Sequence, residues 1–419
     1  MVNKKIKILY TGMVLRKDWG GGEPIVAKDT IEELKKLGYE VDTAFYGPNY
    51  DSIIGEIIGG YLSWSRTYFL KRDSSRLAVS YYKKIIKLKN PDIIISQYDY
   101  DTSIIEAAKE ENKKIIIYVH IWWPICPKMT LYTYDKKICN GYLGKDCQKC
   151  IINRLHNFYK KSDKLSIKII LYLMKILNEL LIKTKNIQIK MKNRITRLNE
   201  SDCILVLSEH MKILLVSMGV KKERINIIHN GIDCDQFNFN TNLEMREKIV
   251  LYMGGNNELK GYNFFKELAL EIKKIMPNIR LIAAGNFNFN EYIGEIEYPG
   301  LLDREEVKKL IPKARVTFVP SIWEEPFAIV TIESMASGTP VVAFDVGILK
   351  EIIGNGIGGF IVPAGDIGQA KQRIIDLLTN DDLFKKMSKN ARDRACKFYS
   401  NEDRISSLDK VIKKLIKNQ

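Results

Sequence analysis

Residues 314–344 read ARVTFVPSIWEEPFAIVTIESMASGTPVVAF, and two periodicities meet within them. ARVTFV is β-branched and apolar without alternation, as a strand buried on both faces requires. Pro326 suits the first turn of a helix, where its missing N–H costs nothing. Ser337, Gly338 and Pro340 stop that helix before VVAF opens a second strand. Strand, loop, helix and strand in this order make one unit of a parallel α/β sheet. The loop then lies at the carboxyl end of its strand, where open sheets of this kind bind ligands.

Two carboxylates mark the helix. Glu325 and Glu333 are eight positions apart, a rise of about 12 Å if both ride one helix. Between them the amides of Phe327, Ala328 and Ile329 form a helix N-terminus, whose positive dipole end suits a diphosphate. The spacing fits a ligand with hydroxyls at both ends and charge in the middle. An isolated pair at this spacing is more often a helix cap and a solvated side chain.

The context shifts that balance. EPFAIVTIESMASGTPVVAFDVGILKEIIGNGIGGFIVPAGD (325–366) closely resembles the signature of retaining GT-B glycosyltransferases of family 4. The resemblance implies that Glu333 holds the ribose hydroxyls of a nucleotide sugar and that Glu325, with the amides after it, contacts the donor sugar. Ala328 stands where many members have glycine. The implied fold is α/β: two Rossmann-like, doubly wound parallel-sheet domains facing a cleft, with a C-terminal helix crossing back to the first domain. The expected domains are residues 1–235 with 401–419, on the acceptor side, and 236–400, binding the nucleotide sugar.

The remaining motifs fit the same order. KIKILYTG (5–12) reads as a buried first strand, followed by a loop with Gly20, Gly21 and Gly22 before a helix near Ile25. Three glycines allow close backbone approach to a ligand, and the resemblance places Gly21 and Gly22 beside the donor phosphates. IIIYVH ends in His120, at the carboxyl end of a strand; family members have a histidine there that contacts the sugar region. SDCILVLS (201–208) reads as the last strand of the first domain, and 230–242 as the linker. In the second domain Lys260 matches a family lysine that neutralises the diphosphate. Gly255 stands where the family has arginine, and Leu302 is the expected backbone contact to the base. His120, Glu325 and Lys260 are the implied catalytic set, with charge stabilisation on the leaving phosphate doing most of the work. Asp99 and Asp101 form a short Asp-x-Asp, the arrangement GT-A enzymes use for a metal; family 4 members need no catalytic metal.

Cys126, Cys139, Cys147 and Cys150 are spaced C-x12-C-x7-C-x2-C, four of the chain's seven cysteines. In an intracellular chain this reads as a structural tetrathiolate zinc site, with an iron–sulfur cluster as the alternative. Disulfides are disfavoured in that compartment.

The net charge is +16, which invites nucleic acid. Residues 151–200 alone hold 12 Lys and Arg against 3 Asp and Glu, a local excess of +9. Within the basic segment 160–198, LSIKIILYLMKILNELLIKTKNIQIKMKNRITRL (165–198) is strongly apolar with dispersed lysines. It suits either a helix packed on the first sheet or an interfacial helix on anionic lipid. MVNKKIKILYTG runs straight into a strand without a signal peptide, so a cytoplasmic protein, peripheral on the membrane through 165–198, is expected. Together these readings imply a transferase moving sugar from a UDP- or GDP-sugar to a glycan or lipid-linked acceptor. A nucleotide-sugar epimerase and a non-enzymatic zinc-containing nucleic-acid-binding protein are the alternatives.

Overall fold

The computed structural model describes residues 5–12, 22–44, 76–97, 102–139, 141, 147–160, 184–239, 246–287 and 293–417. The chain divides into two compact units, Met1–Ile228 with Ser407–Gln419, and His229–Ser406. The divisions fall a few residues from the expected 235/236 and 400/401. HNGID (229–233) goes with the second unit because Ile232 is bonded there: its N–H donates to Tyr399 O at 2.7 Å, and its carbonyl accepts from Asn401 N at 3.0 Å.

The first unit holds strands Lys7–Gly12 (β1), Glu40–Ala44 (β2), Ile93–Gln97 (β3), Lys114–Val119 (β4), Cys203–Val206 (β5) and Ile225–Ile227 (β6). They form one parallel sheet in the order β2-β1-β3-β4-β5-β6. Among the described residues its helices are Gly22–Lys36 (α1), Arg76–Lys89 (α2), Ser103–Glu110 (α3), Cys147–Lys160 (α4), Thr184–Leu198 (α5) and Glu209–Ser217 (α6). The isoleucine runs 93–95 and 115–117 are buried throughout, which is why they read as unbroken apolar segments. β5 is not the last strand as expected: the short INI segment of β6 extends the sheet by one strand.

The second unit holds strands Glu247–Met253 (β7), Arg280–Ala284 (β8), Glu297–Gly300 (β9), Ala314–Val319 (β10), Val341–Phe344 (β11) and Gly359–Val362 (β12). This sheet is also parallel, in the order β12-β11-β10-β7-β8-β9. Helices Tyr262–Ile275 (α7), Arg304–Leu310 (α8), Ile329–Ala336 (α9), Leu349–Ile353 (α10), Ile367–Thr379 (α11) and Asp381–Phe398 (α12) accompany it. Phe265, Phe318, Phe344 and Leu377 lie in its continuous core. The strand order reverses between β7 and β10, so the loops after these two strands flank the switch point of the sheet.

Helix Asn401–Lys417 (α13) starts in the second unit and ends in the first. There Tyr39 donates its phenol proton to Asp409 Oδ1 at 2.6 Å. Cys234 and Cys396 are joined by a disulfide, with Cα atoms 5.9 Å apart. Sequence reasoning had set disulfides aside; this pair is separated by 162 positions and meets only through the fold.

Residues 161–183, much of the segment expected to be interfacial, lie outside the described residues. In α5 the apolar stripe Ile187, Met191, Ile195 and Leu198 is buried. Arg194 donates to Trp123 O and lies 5.5 Å from that indole ring. For 184–198 the apolar face is therefore spent on the first unit rather than left for lipid.

Removing the phenolic hydroxyl of Tyr39 deprives the Asp409 carboxylate of one partner at the docking point of α13. Tyr39→Phe should lower the unfolding free energy by about 1 kcal/mol, read from the midpoint of a urea titration at constant m-value.

Candidate functional site

The site residues of the second unit gather at its switch point. Loop 320–328 leaves β10 and runs inward, with Glu324, Glu325, Phe327 and Ala328 all buried. Glu325 is 1% exposed, and a buried carboxylate needs partners. Lys260 Nζ lies 3.0 Å from each of its oxygens. Ser321 Oγ donates to Oε2 at 2.9 Å and Trp323 Nε1 donates to the same oxygen at 2.8 Å. The Lys260 ammonium also stands 5.3 Å from the Trp323 ring centroid.

Two glycines make this cluster possible. Gly261, at φ +79°, passes so near the preceding loop that a Cβ would sit 1.8 Å from Pro320 O. Gly347, at φ +53°, would place a Cβ 2.1 Å from Glu325 O. The carbonyl of Glu325 accepts from Ile348 N at 3.1 Å, so the loop backbone is pinned as well as its side chain.

Helix α9 begins at Ile329, with Ala328 as an extended N-cap. This corrects the expected start: Pro326 and Phe327 belong to the buried loop. Glu325 and Glu333 therefore do not ride one helix, and 12 Å along an axis is not their separation. The amides that precede any helical partner begin at Ile329. Ser337 and Gly338 do end the helix, at its C-cap and just beyond. Ser334 Oγ donates to Thr317 Oγ1 at 2.9 Å and fixes α9 against β10.

Glu333 is half-buried on α9. Burial pushes its carboxyl up to about 7, while Arg304 and Lys308 of α8 pull it down. Leu302 lies half-buried in the loop between β9 and α8. The loops after β7, β8 and β9 are tied by backbone bonds: Gly255 N to Ala284 O at 3.1 Å, Asn256 N to Asn286 O at 2.8 Å, and Gly285 N to Gly300 O at 2.8 Å. Gly255 has φ +58°, and a Cβ there would meet the Asn286 backbone at 3.0 Å. The absent arginine thus has a structural reason: a side chain there is strained by the positive φ and would crowd the Asn286 backbone. Lys260 is the cation that the described turn offers in its place.

His120 is buried in the first unit at the end of β4, its ring 4.1 Å from that of Tyr118. Gly22 opens α1. Gly21, Asp99 and Asp101 lie outside the described residues. Cys126, Cys147 and Cys150 are buried and Cys139 is partly so, all as free thiols. Among the described residues, no group of three or more His, Cys, Asp or Glu stands in a metal-holding arrangement.

Sequence reasoning missed Ser321 and Trp323. The available signal was a hydroxyl and an indole just before Glu325 in a loop at a strand's carboxyl end. Gly347 was missed too, because its role depends on a contact made across the sheet.

Residues 20–236 match the sequence profile described as Glycosyltransferase Family 4, and residues 234–394 that of Glycosyl transferases group 1. An uncharacterized glycosyltransferase of Methanocaldococcus jannaschii is 30% identical over 188 residues, 39% of this chain and 47% of that protein. The chain spans about half the length of the curated relatives it matches. Among solved structures, sucrose-phosphate synthase of Thermosynechococcus elongatus superposes with a TM-score of 0.67 at 17% identity, covering 99% of this chain and 100% of that one. Anabaena HepE in complex with UDP-glucose gives 0.62 at 13% identity, covering 98% and 100%. Both likenesses concern the fold, two parallel-sheet domains of GT-B type.

Two measurements probe the electrostatics. Lys260→Met leaves the buried Glu325 carboxylate with neutral donors only, and should cost about 1–3 kcal/mol of stability, read by chemical denaturation. Glu333 works in the opposite sense. Between its ordinary value of 4.5 and about 7 the folded state keeps a proton that the unfolded chain has released, so stability falls as pH rises through that window. Glu333→Gln should remove this fall, gaining on the parent protein as pH increases.

Proposed function

Because the chain belongs to glycosyltransferase family 4, we propose that it transfers a sugar, with retention at the anomeric carbon, from a nucleotide-diphosphate sugar to a glycan or lipid-linked acceptor. The observation that carries this reading is the Lys260–Glu325 pair at the switch point of the second sheet, with Glu333 on the helix that follows. A cation and a carboxylate on neighbouring loops, with a second carboxylate on the helix that follows, suit a ligand with a diphosphate between two hydroxyl-bearing rings.

On this reading Glu333 accepts hydrogen bonds from the ribose hydroxyls and Leu302 offers backbone to the base. Lys260 and the first amides of α9 take the diphosphate. The bond from anomeric carbon to phosphate oxygen breaks with its electrons on the diphosphate, where negative charge builds. Fixed donors stabilise that charge without reorganising. The acceptor oxygen bonds to the anomeric carbon on the face the diphosphate leaves, and its proton passes to the departing phosphate oxygen. Glu325 holds the sugar hydroxyls once Lys260 turns to the phosphates. On this reading no catalytic metal is required.

UDP is the nucleotide to test first, since the Anabaena neighbour was solved with UDP-glucose. The dispersed lysines of 160–198 favour an acceptor displayed at an anionic membrane surface.

A thermal-shift series with UDP, GDP, ADP, TDP and their sugars tests the donor site. One nucleotide should stabilise the protein selectively, by roughly 2.7 kcal/mol at a hundredfold excess over Kd, and Glu333→Ala should abolish the shift. Sugar transfer that is unchanged in both Glu333→Ala and Lys260→Ala would remove these residues from the site. Turnover of the donor to an epimer without any acceptor would replace transfer by epimerisation.

A further inference from the structure

A helix ends in carbonyls that have no intrahelical donor, and at the end of α9 three of them are met by side chains. Arg246 donates to Ser337 O, Ser388 Oγ to Gly338 O at 2.5 Å, and Arg392 Nη1 to Ala336 O. Ser388 and Arg392 stand on α12. The two guanidinium groups also complement the negative end of the helix dipole.

The same Arg392 nitrogen donates to Phe237 O at 2.9 Å. Residues 232–239 thereby lie as a strap over α12 and the end of α9. Ile232 N donates to Tyr399 O at 2.7 Å, Cys234 is joined to Cys396, and a Cβ on Gly338 would collide with the Phe239 ring. Cys396 follows Arg392 by four positions, so cystine and guanidinium share one face of α12. They are two fastenings of one short turn, the first covalent and the second not. The side chain of Asp233 closes that turn on itself: Oδ1 accepts from Asp235 N at 3.1 Å and Oδ2 from Gln236 Nε2 at 2.7 Å.

The strap also reaches the loop before α9. Tyr399, to which Ile232 is bonded, has its ring 6.0 Å from that of Phe327. Segment 325–338 is thus braced at Phe327 through Tyr399 and at Gly338 directly, with Glu333 between the two. All these residues belong to the second unit. Cys234 and Cys396 are each half-buried, which leaves the cystine the access that thiol exchange needs.

We propose that the Cys234–Cys396 cystine is a redox latch on α9. Closed, it keeps the strap seated and the carbonyl end of the helix fixed. A dithiol reductant opens it: one thiolate attacks a sulfur of the cystine, the other cysteine leaves, and the second thiol of the reductant resolves the mixed disulfide. Two electrons and two protons pass to Cys234 and Cys396, and the dithiol becomes a cyclic disulfide. The strap then holds by Arg392 and packing alone, and α9 loosens in its last turn. The consequence for ligand rests on the transferase reading: Glu333 loses its fixed position and the donor nucleotide binds more weakly.

The test compares the full-length protein in its oxidised state and after reduction with dithiothreitol, with Cys234 and Cys396 followed by differential alkylation and mass spectrometry. Amide hydrogen exchange over 325–338 should be about tenfold faster in the reduced protein, the worth of roughly one charge-assisted hydrogen bond, and should slow again on reoxidation. UDP should bind about tenfold more weakly in the reduced state. Cys234→Ser with Cys396→Ser should behave as the reduced protein in either medium. If that variant does not fold, the two states of the parent protein carry the comparison. Faster exchange with no UDP binding in either state supports the latch and tells against the donor site. Equal exchange over 325–338 in the two states, or equal affinity where UDP does bind, overturns the proposal. So does a protein in which Cys234 and Cys396 stay free thiols under oxidising conditions.

Discussion

Glu325 is a carboxylate out of reach of water, and the second sheet is arranged to satisfy it. The carboxylate's partners are Lys260 after β7 and Ser321 and Trp323 in its own loop, while the amide of Ile348 after β11 donates to the Glu325 backbone carbonyl. A buried charge left without such partners costs more than a lost hydrogen bond between neutral groups. The requirement reaches into the backbone. Gly261 and Gly347 are glycine because the loops that supply these partners run too close together for a Cβ.

The two carboxylates of the site live in opposite circumstances. Glu325 is enclosed by a cation and two neutral donors, so its surroundings hold it in one geometry. Glu333 is half-buried, with Arg304 and Lys308 acting on it from α8, and its charge turns over near neutrality. A ligand that engages both meets one rigid acceptor and one whose charge depends on the medium. Lys260 links the two ends of this logic: before a ligand arrives, its charge is already committed to Glu325.

Much of this was legible in the residues. The apolar runs at 93–95, 115–117 and 314–319 are buried strands, and the helix stop at Ser337 and Gly338 follows from known C-terminal preferences. The helix start was not legible. Pro326 satisfies the local rule for a first turn, but the packing of loop 320–328 against Gly347 holds it extended and moves the start to Ile329. β6 is three residues long, below what periodicity can resolve. The stripe of α5 reads equally well as lipid-facing or core-facing, and only its contacts decide. Gly255 could be seen to depart from the family pattern, but the reason, the Asn286 backbone lying against it, is a contact between two strands' loops.

The disulfide between Cys234 and Cys396 has a topological meaning. It closes the chain into a ring that contains the whole second sheet, from β7 to β12. A cut in any loop of that ring leaves one covalent molecule while the bond stands, and two fragments once it is reduced. The second unit is therefore a closed loop or an open thread according to the redox state around it, with the same fold drawn through both.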